Sequence, residues 1–449
     1  AMSVLNGAVA RVISPAPASW DERREPIQNF VSALCDGDAS ADLPEGAQLD
    51  VLAEVAAQAP ALAEACAGSP KQFWATAEVL TALVVDQYNQ PKFRAKQLHE
   101  WMYEKGVTDF DAMANLPKNF RAQLSAEAAC GTMEISHERV SGDGTRKRLW
   151  RCDDGALIES VLMPYNDGRR TACISSQVGC AMGCTFCATG QMGFGRDLSE
   201  GEIFEQAARF ALELQAEGER LSNVVFMGMG EPFRNYDAVV GAARRIMGEL
   251  GVGARHITIS TVGIVPNIKR YADEERSGGQ PLPELAISLH QSDDASRSAI
   301  MPVNRKHDID ELLEACAYYG SKTGRRISFE WALIAGQNDD VPTARRLGER
   351  LAAVRGLKCH VNLIPLNPTS GFDGAPTSLP QAAQFVDELA RHKVPATVRV
   401  RRGIDIEAGC GQLAEAASKE VAAGRLEARR TRTKLPENLR VKGRRAVEG

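Results

Sequence analysis

No stretch of eighteen consecutive apolar residues occurs in the 449-residue sequence, so it offers no segment of the length that crosses a bilayer as a helix. Its first residues show no basic-then-apolar leader. A cytoplasmic monomer with no membrane partner is the expectation, with Ala1-Met2 read as one residue added ahead of a native methionine. Global basicity is missing too. The chain carries 53 Lys and Arg against 58 Asp and Glu, a net charge of −5, so bulk charge does not announce a nucleic-acid partner. The eleven cysteines do not suggest a disulfide framework. Three are clustered and the rest scattered through a long chain, the pattern of a reducing compartment with a metal site. No second cysteine cluster accompanies the first. Core-forming residues are plentiful: at 44% hydrophobic and this length, the chain supports one large domain and one or two smaller ones.

The clustered cysteines are Cys180, Cys184 and Cys187, spaced C-x3-C-x2-C. Thiolates are soft ligands suited to zinc or iron–sulfur clusters. A structural zinc takes four protein ligands. Three thiolates from one short loop instead hold three irons of a [4Fe–4S] cluster and leave the fourth open to a substrate. On ligand count, a zinc knuckle borrowing a distant fourth ligand competes with that reading. Phe186, just before the last cysteine, and the strand-like RTACISSQVG ahead of the loop favour the cluster. The spacing resembles that of radical S-adenosylmethionine (SAM) enzymes, whose open iron chelates SAM.

Four regions are expected. Residues 1–80 form an acidic, proline-broken extension without visible chemistry. Residues 81–150 form a helical accessory domain. Its periodicity places Phe93, Leu98, Trp101 and Met102, then Phe110, Met113, Leu116 and Phe120, on one face. Arg94, Lys96, Lys105, Lys118 and Arg121 punctuate it, either as a grip on RNA phosphates or as a solvated cap. Asp143-Gly144 and Asp154-Gly155 then mark the turns of a hairpin or meander. Residues 151–415 alternate apolar strands with helices: RTACISSQVG, NVVFMGMGEP, HITISTVGI, ELAISLH, RISFEWALI, HVNLIPLNP and, less plainly, ATVRVRR. An α/β fold follows, a partial (β/α)6 barrel of about six parallel strands. Residues 416–449 are an arginine-rich tail.

Parallel barrels place chemistry at the carboxyl ends of their strands. There this sequence offers Gly228, Gly230 and Glu231, then Ser260 and Thr261, Ser288 and His290, and Asn362 and Asn367. Each alone fits a helix cap; on four successive strands together they suit the ribose, carboxylate and adenine of SAM. Cys173, seven residues before the cluster, and Cys410, between glycines, read on their own as small buried hydrophobes. Glu159 alternates with apolar neighbours on a strand and reads as solvent-facing.

Seven segments in this order resemble the dual-specificity RNA methyltransferases of the RlmN/Cfr group: QVGCAMGCTFCATGQMGF, VVFMGMGEP, TISTVGIVP, LAISLH, IMPVNRK, NLIPLNP and RGIDIEAGCGQL. CATGQ and GCGQL are more similar to the RlmN branch. The resemblance implies that Cys180, Cys184 and Cys187 bind a [4Fe–4S] cluster. It places Gly230, Glu231, Ser260, Ser288, Leu289, His290 and Asn367 against SAM. It makes Cys410 the methyl carrier, Cys173 its resolving partner through a transient disulfide, and Glu159 the proton acceptor. Two SAM molecules are used per turnover, one to methylate Cys410 and one to supply a radical that activates the methyl group. The implied substrate is C2 of adenosine 2503 in 23S rRNA and, in some members, adenosine 37 of tRNA; the Cfr branch targets C8. A flavodoxin- or ferredoxin-type protein would donate the electron.

Overall fold

A computed structural model describes residues 71–72, 77–107, 109–131, 133–277 and 281–413. The acidic extension and the basic tail lie outside the described residues, apart from a few residues at the edge of the former. The chain divides into two units. One comprises Ala1–Lys71 with Gln123–Ala129, the other Gln72–Ala122 with Cys130–Gly449. The candidate site lies wholly in the second.

That unit is built on a ten-stranded sheet. Seven strands run parallel: β4 (Arg170–Cys173), β7 (Asn223–Phe226), β8 (Ile257–Thr261), β9 (Glu284–Ser288), β10 (Ile327–Leu333), β11 (Cys359–Pro365) and β12 (Ala396–Val398). They lie side by side in chain order. Three antiparallel strands, β1 (Met133–Val140), β2 (Arg146–Cys152) and β3 (Leu157–Pro164), extend the sheet beyond β4. The expected meander is therefore part of the sheet, and residue 150 falls within β2 rather than at a domain border.

Val, Ile, Leu and aromatic residues recur along the parallel strands because both faces are covered. Phe226, Ile259, Leu285, Ile287, Phe329, Trp331 and Leu363 have at most 1% of their surface exposed. Helices pack between strands in the expected places, and their starts are legible. Ser199 makes a capping box with Glu202 ahead of α5 (Glu200–Ala216). Asp308 caps α9 (Ile309–Thr323), Asp340 caps α10 (Val341–Ala353), and Ser378 caps α11 (Leu379–Arg391). Each side-chain oxygen satisfies a backbone N–H that has no partner within its helix.

Two expectations change. RTACISSQVG is not one strand. It leaves the sheet after Cys173, and Gln177–Gly179 (β5) pairs instead with Phe194–Asp197 (β6) in a separate ribbon. The break occurs because the backbone of Ser175 bonds to a side chain: its N–H donates to Gln206 Oε1 at 2.8 Å and its carbonyl accepts from Gln206 Nε2 at 2.9 Å. In the helical module, Leu98, Met102, Phe110, Met113, Leu116 and Phe120 are buried as expected, but Phe93 is 55% exposed. The Arg94 guanidinium lies 4.7 Å from its ring. Arg94 and Arg121 also donate to the carbonyls of Asn115 and Asp111, so these two bases are partly occupied within the module.

Ser199→Ala should lower the unfolding free energy by about 1 kcal/mol, the usual worth of an N-cap. Urea unfolding of parent and variant measures it; a change within error would mean that packing alone holds the start of α5.

Candidate active site

The cysteine loop begins where the β5–β6 ribbon opens. Gly179 has φ +75°, and a Cβ there would collide with the Gly193 carbonyl, so only glycine lets the two chains approach. Cys180 N–H then donates to that carbonyl at 2.8 Å, and Cys187 N–H to the Cys184 carbonyl at 3.3 Å. Cys180 and Cys184 are buried and Cys187 half-buried. Burial pushes the Cys180 thiol up to about 12, and Cys184 well above its ordinary value; the charges of neighbouring thiols push the same way. Thiols buried like these two ionise together readily only around a cationic group. Among the described residues, no three His, Cys, Asp or Glu side chains are set to hold one metal ion. A cubane takes one thiolate per iron, and this donor set suits it.

All three cysteines line a cavity whose other walls include the carboxyl ends of β7 to β11. Gly230, Glu231, Ser260, Ser288, His290 and Asn367 all line it, so the structure brings the expected strand-end residues together. Glu231 is buried, and its carboxylate accepts from Phe233 N–H at 3.0 Å, Val262 N–H at 2.9 Å and the Thr261 hydroxyl at 2.5 Å. Burial still raises its pKa to about 7 against those hydrogen bonds. A carboxylate held in place yet short of positive charge fits the ammonium end of SAM.

His290 adopts φ +59°. Its Nδ1 accepts from Ala332 N–H at 2.8 Å, which leaves the proton on Nε2. Burial and the nearby Arg297 lower its pKa to about 3, so the ring is neutral, and Phe186 meets it edge-on at 4.9 Å. Leu289 is placed differently from its expected neighbours. It is buried but does not line the cavity; its N–H donates to the Glu330 carbonyl, and its carbonyl accepts from Arg297.

Sequence reading missed Arg297. Fully buried, it donates to the carbonyls of Val262 (2.7 Å), Ser288 (3.1 Å) and Leu289 (3.1 Å) and to Asn304 Oδ1 (2.8 Å). It thus pins the ends of β8 and β9. Its only sequence signal was proximity to IMPVNRK. Glu330 was missed as well. It lines the cavity with Oε1 accepting from Asn362 at 2.8 Å, while Oε2 makes no hydrogen bond.

Cys410 stands on the wall between this cavity and a second one, and lines both. Two hydrogen bonds stitch its loop to the cysteine loop: Ala188 N–H donates to the Gly411 carbonyl at 2.7 Å, and the Thr189 hydroxyl to the Leu413 carbonyl at 2.8 Å. Asn367 Nδ2 donates to the Cys410 carbonyl at 3.2 Å, and its Oδ1 is buried without a hydrogen bond. The Cys410 sulfur reaches water at the bottom of a crowded cleft. The crowding raises its pKa, and the Arg399 guanidinium opposes the rise. Cys173 is buried in the wall of the second cavity. Burial raises its thiol far above the ordinary value, with the Cys410 charge adding to the effect. Every described cysteine is a free thiol, so the structure shows no disulfide among them.

Glu159 lines neither cavity. It is fully buried on β3 rather than solvent-facing, with Oε2 3.3 Å from the Lys147 ammonium. Its strand is paired on both edges, with β2 and β4, and Leu157 to Leu162 are buried in succession, so both its faces are covered as well.

The Radical SAM superfamily profile matches residues 174–347, and the Ribosomal RNA large subunit methyltransferase N-terminal domain profile matches residues 76–130. The chain is 49% identical over 324 residues to Dual-specificity RNA methyltransferase RlmN 1 of Myxococcus xanthus, covering 72% of this chain and 88% of that one. It is 45% identical over 351 residues to Probable dual-specificity RNA methyltransferase RlmN of Mycolicibacterium gilvum, covering 77% and 94%. The crystal structure of a radical SAM methyltransferase from Sphaerobacter thermophilus superposes with a TM-score of 0.71 at 44% identity, covering 77% of this chain and 99% of that one. With the cysteine loop, the strand-end pocket and the shared thiol wall all in one unit, the chain belongs to the RlmN family of radical SAM RNA methyltransferases.

Proposed function

We propose that this protein methylates C2 of adenine in RNA by way of a methylated Cys410, with 23S rRNA adenosine 2503 as substrate and tRNA as a second one. The observation that carries the reading is the position of Cys410. One thiol faces a pocket fit for SAM on one side and a cavity holding Cys173 on the other. C2 of adenine, flanked by two ring nitrogens, is electron-poor and cannot displace a methyl group from SAM as a nucleophile. A thiolate can, so the carbon is first parked on sulfur.

Cys180, Cys184 and Cys187 would hold the [4Fe–4S] cluster. Glu231, the backbone at Gly230, Ser260, Ser288, neutral His290 and Asn367 would hold SAM. When bound, the cluster supplies one electron, from a flavodoxin or ferredoxin, and SAM supplies both the methyl group and the means of activating it, two SAM per turnover. The protein's own part is positional. Glu231 offers a fixed acceptor, His290 a fixed Nε2–H donor, and the hydrogen-bonded loop keeps the Cys410 sulfur at the boundary. Cys173 then closes the cycle: its sulfur attacks the Cys410 sulfur and a disulfide forms, the carbon–sulfur bond breaks with its electron pair passing to the RNA-bound carbon, that carbon takes a proton in place of the one lost from the Cys173 thiol and becomes the methyl group, and cellular thiols reduce the disulfide. Glu159 as acceptor of the C2 proton requires its pair with Lys147 to open, since the carboxylate faces neither cavity.

Cys410→Ala should abolish methyladenosine formation, and Cys173→Ala should yield protein that purifies with covalently attached RNA. Denaturing gels and mass spectrometry of digested RNA, with C2- and C8-methyl standards, read both. Normal methylation by Cys410→Ala would end the proposal. Glu231 gives a pH test on the cofactor-free protein. Its pKa is raised from 4.5 to about 7, so the native state retains a proton that the unfolded chain has lost. Stability from this group therefore falls as pH rises through that window. Between pH 5 and pH 8, the parent should lose on the order of 1–3 kcal/mol more than Glu231→Gln in urea unfolding; equal losses would contradict the account of a buried carboxylate.

A further inference from the structure

The two cavities that meet at Cys410 differ in charge. The first has Glu231 and Glu330 in its wall. The second has no acidic side chain in its wall and three arginines, Arg399, Arg401 and Arg402. In a chain of net charge −5 that contrast is local and specific. Two of the arginines have carboxylates nearby: Arg399 lies 3.6 Å from Glu330, and Arg402 3.8 Å from Asp143. Arg401 is half-buried and makes no hydrogen bond or ion pair among the described residues. At the rim, the Tyr165 ring has the Arg402 guanidinium 4.5 Å and the Arg169 guanidinium 4.6 Å from its centre. The interior is apolar, with Met163, Met227 and Ile364, and ends at Cys410 and Cys173.

We propose that the second cavity docks the nucleotide being modified, with an RNA phosphate on Arg401 and Arg402 and the base over the apolar interior with its edge toward Cys410. The proposal rests on the RNA-methylation reading and deepens it. A guanidinium withdrawn from water without a counter-ion is costly, and a phosphate offers its planar fork two parallel hydrogen bonds. A base taken out of its stack needs an apolar slot of this kind, and phosphate contacts help offset the few kcal/mol that unstacking costs. The charges also sort the two substrates. Carboxylates in the first cavity favour the cationic SAM and repel RNA, while arginines in the second do the reverse. The sulfur between them then meets each substrate from its own side.

The test uses the full-length, cluster-loaded protein and an RNA hairpin carrying the target adenosine, with binding followed by fluorescence anisotropy across a KCl series. Arg401→Glu should weaken binding about tenfold or more and reduce the slope of log K against log salt by about 1. The KM for RNA should rise more than kcat falls, and Arg401→Lys should recover most of the affinity. Arg355→Glu makes the same charge change on an exposed residue just ahead of β11, at the amino ends of the parallel strands rather than the carboxyl ends that face the cavity, and should bind like the parent. Parent-like binding by Arg401→Glu, or an equal loss in Arg355→Glu, would overturn the docking site while leaving RNA methylation intact. If the parent loads a methyl group from labelled SAM onto Cys410 yet neither binds nor methylates RNA, the functional reading itself fails, and the docking site with it.

Discussion

The structure depends on holding one thiol at a boundary. Cys410 lies on an irregular segment after the last strand, where no sheet fixes its position. Its placement comes from bonds to three separate parts of the fold. The cysteine loop grips it at the carbonyls of Gly411 and Leu413, Asn367 at the end of β11 grips its own carbonyl, and the meander grips it upstream. There Lys147 donates to the Glu407 carbonyl at 2.9 Å, the Ser141 hydroxyl to Asp405 at 2.5 Å, and Gly403 N–H to Asp143 at 3.1 Å. Each such bond contributes only about 1 kcal/mol. Spread over three elements, they fix a direction that one anchor would leave free. The glycines make this approach possible: a Cβ at Gly409 would overlap Asn367 Nδ2.

Charge around that thiol is arranged against ordinary stability. Glu231 and Glu330 are buried carboxylates whose pKa values are raised by burial, and Arg297 is a buried guanidinium whose pKa is lowered to about 10. Replacing such groups with apolar side chains often costs nothing or stabilises a fold. Their retention makes sense as preparation for ligands. Arg297 differs in kind, since its donors end on backbone carbonyls and so convert a buried charge into a brace for the strand ends. Glu231 is braced from three sides but keeps its shortage of positive charge, the property that a ligand ammonium relieves.

The parallel strands were legible because their apolar runs have a single physical cause, burial on both faces. The cluster was legible because ligand spacing in one loop needs no tertiary information. RTACISSQVG misled because its apolar pattern continues past the point where the Gln206 side chain draws the backbone of Ser175 out of the sheet. Phe93 misled because periodicity cannot distinguish a core ring from one covered by an arginine. Cys173, Cys410 and Glu159 were invisible as chemistry until the resemblance named them. On their own, a glycine-flanked cysteine and a strand glutamate carry no signal: the two cysteines take their meaning from each other, more than two hundred residues apart, and Glu159 from Lys147 on the adjacent strand. Arg297, Glu330 and Arg401 took on roles only when the strands were assembled.

The antiparallel meander gives the fold its second compartment. The parallel strands alone supply the cysteine loop and the strand-end pocket. Adding β3 beside β4 places Met163 and Tyr165 next to Cys173 across the wall of the second cavity, through the pairing of Val161 with Cys173 and Met163 with Thr171. Adding β1 and β2 brings the Ser141–Thr145 turn and Lys147 against the segment that carries Cys410. The same three strands thus build one side of the cavity and position the thiol that opens into it. A sulfur that must take carbon from one ligand and pass it to another needs both compartments and a fixed place between them: here the sheet walls the compartments, and bonds from the meander, Asn367 and the cysteine loop fix the place.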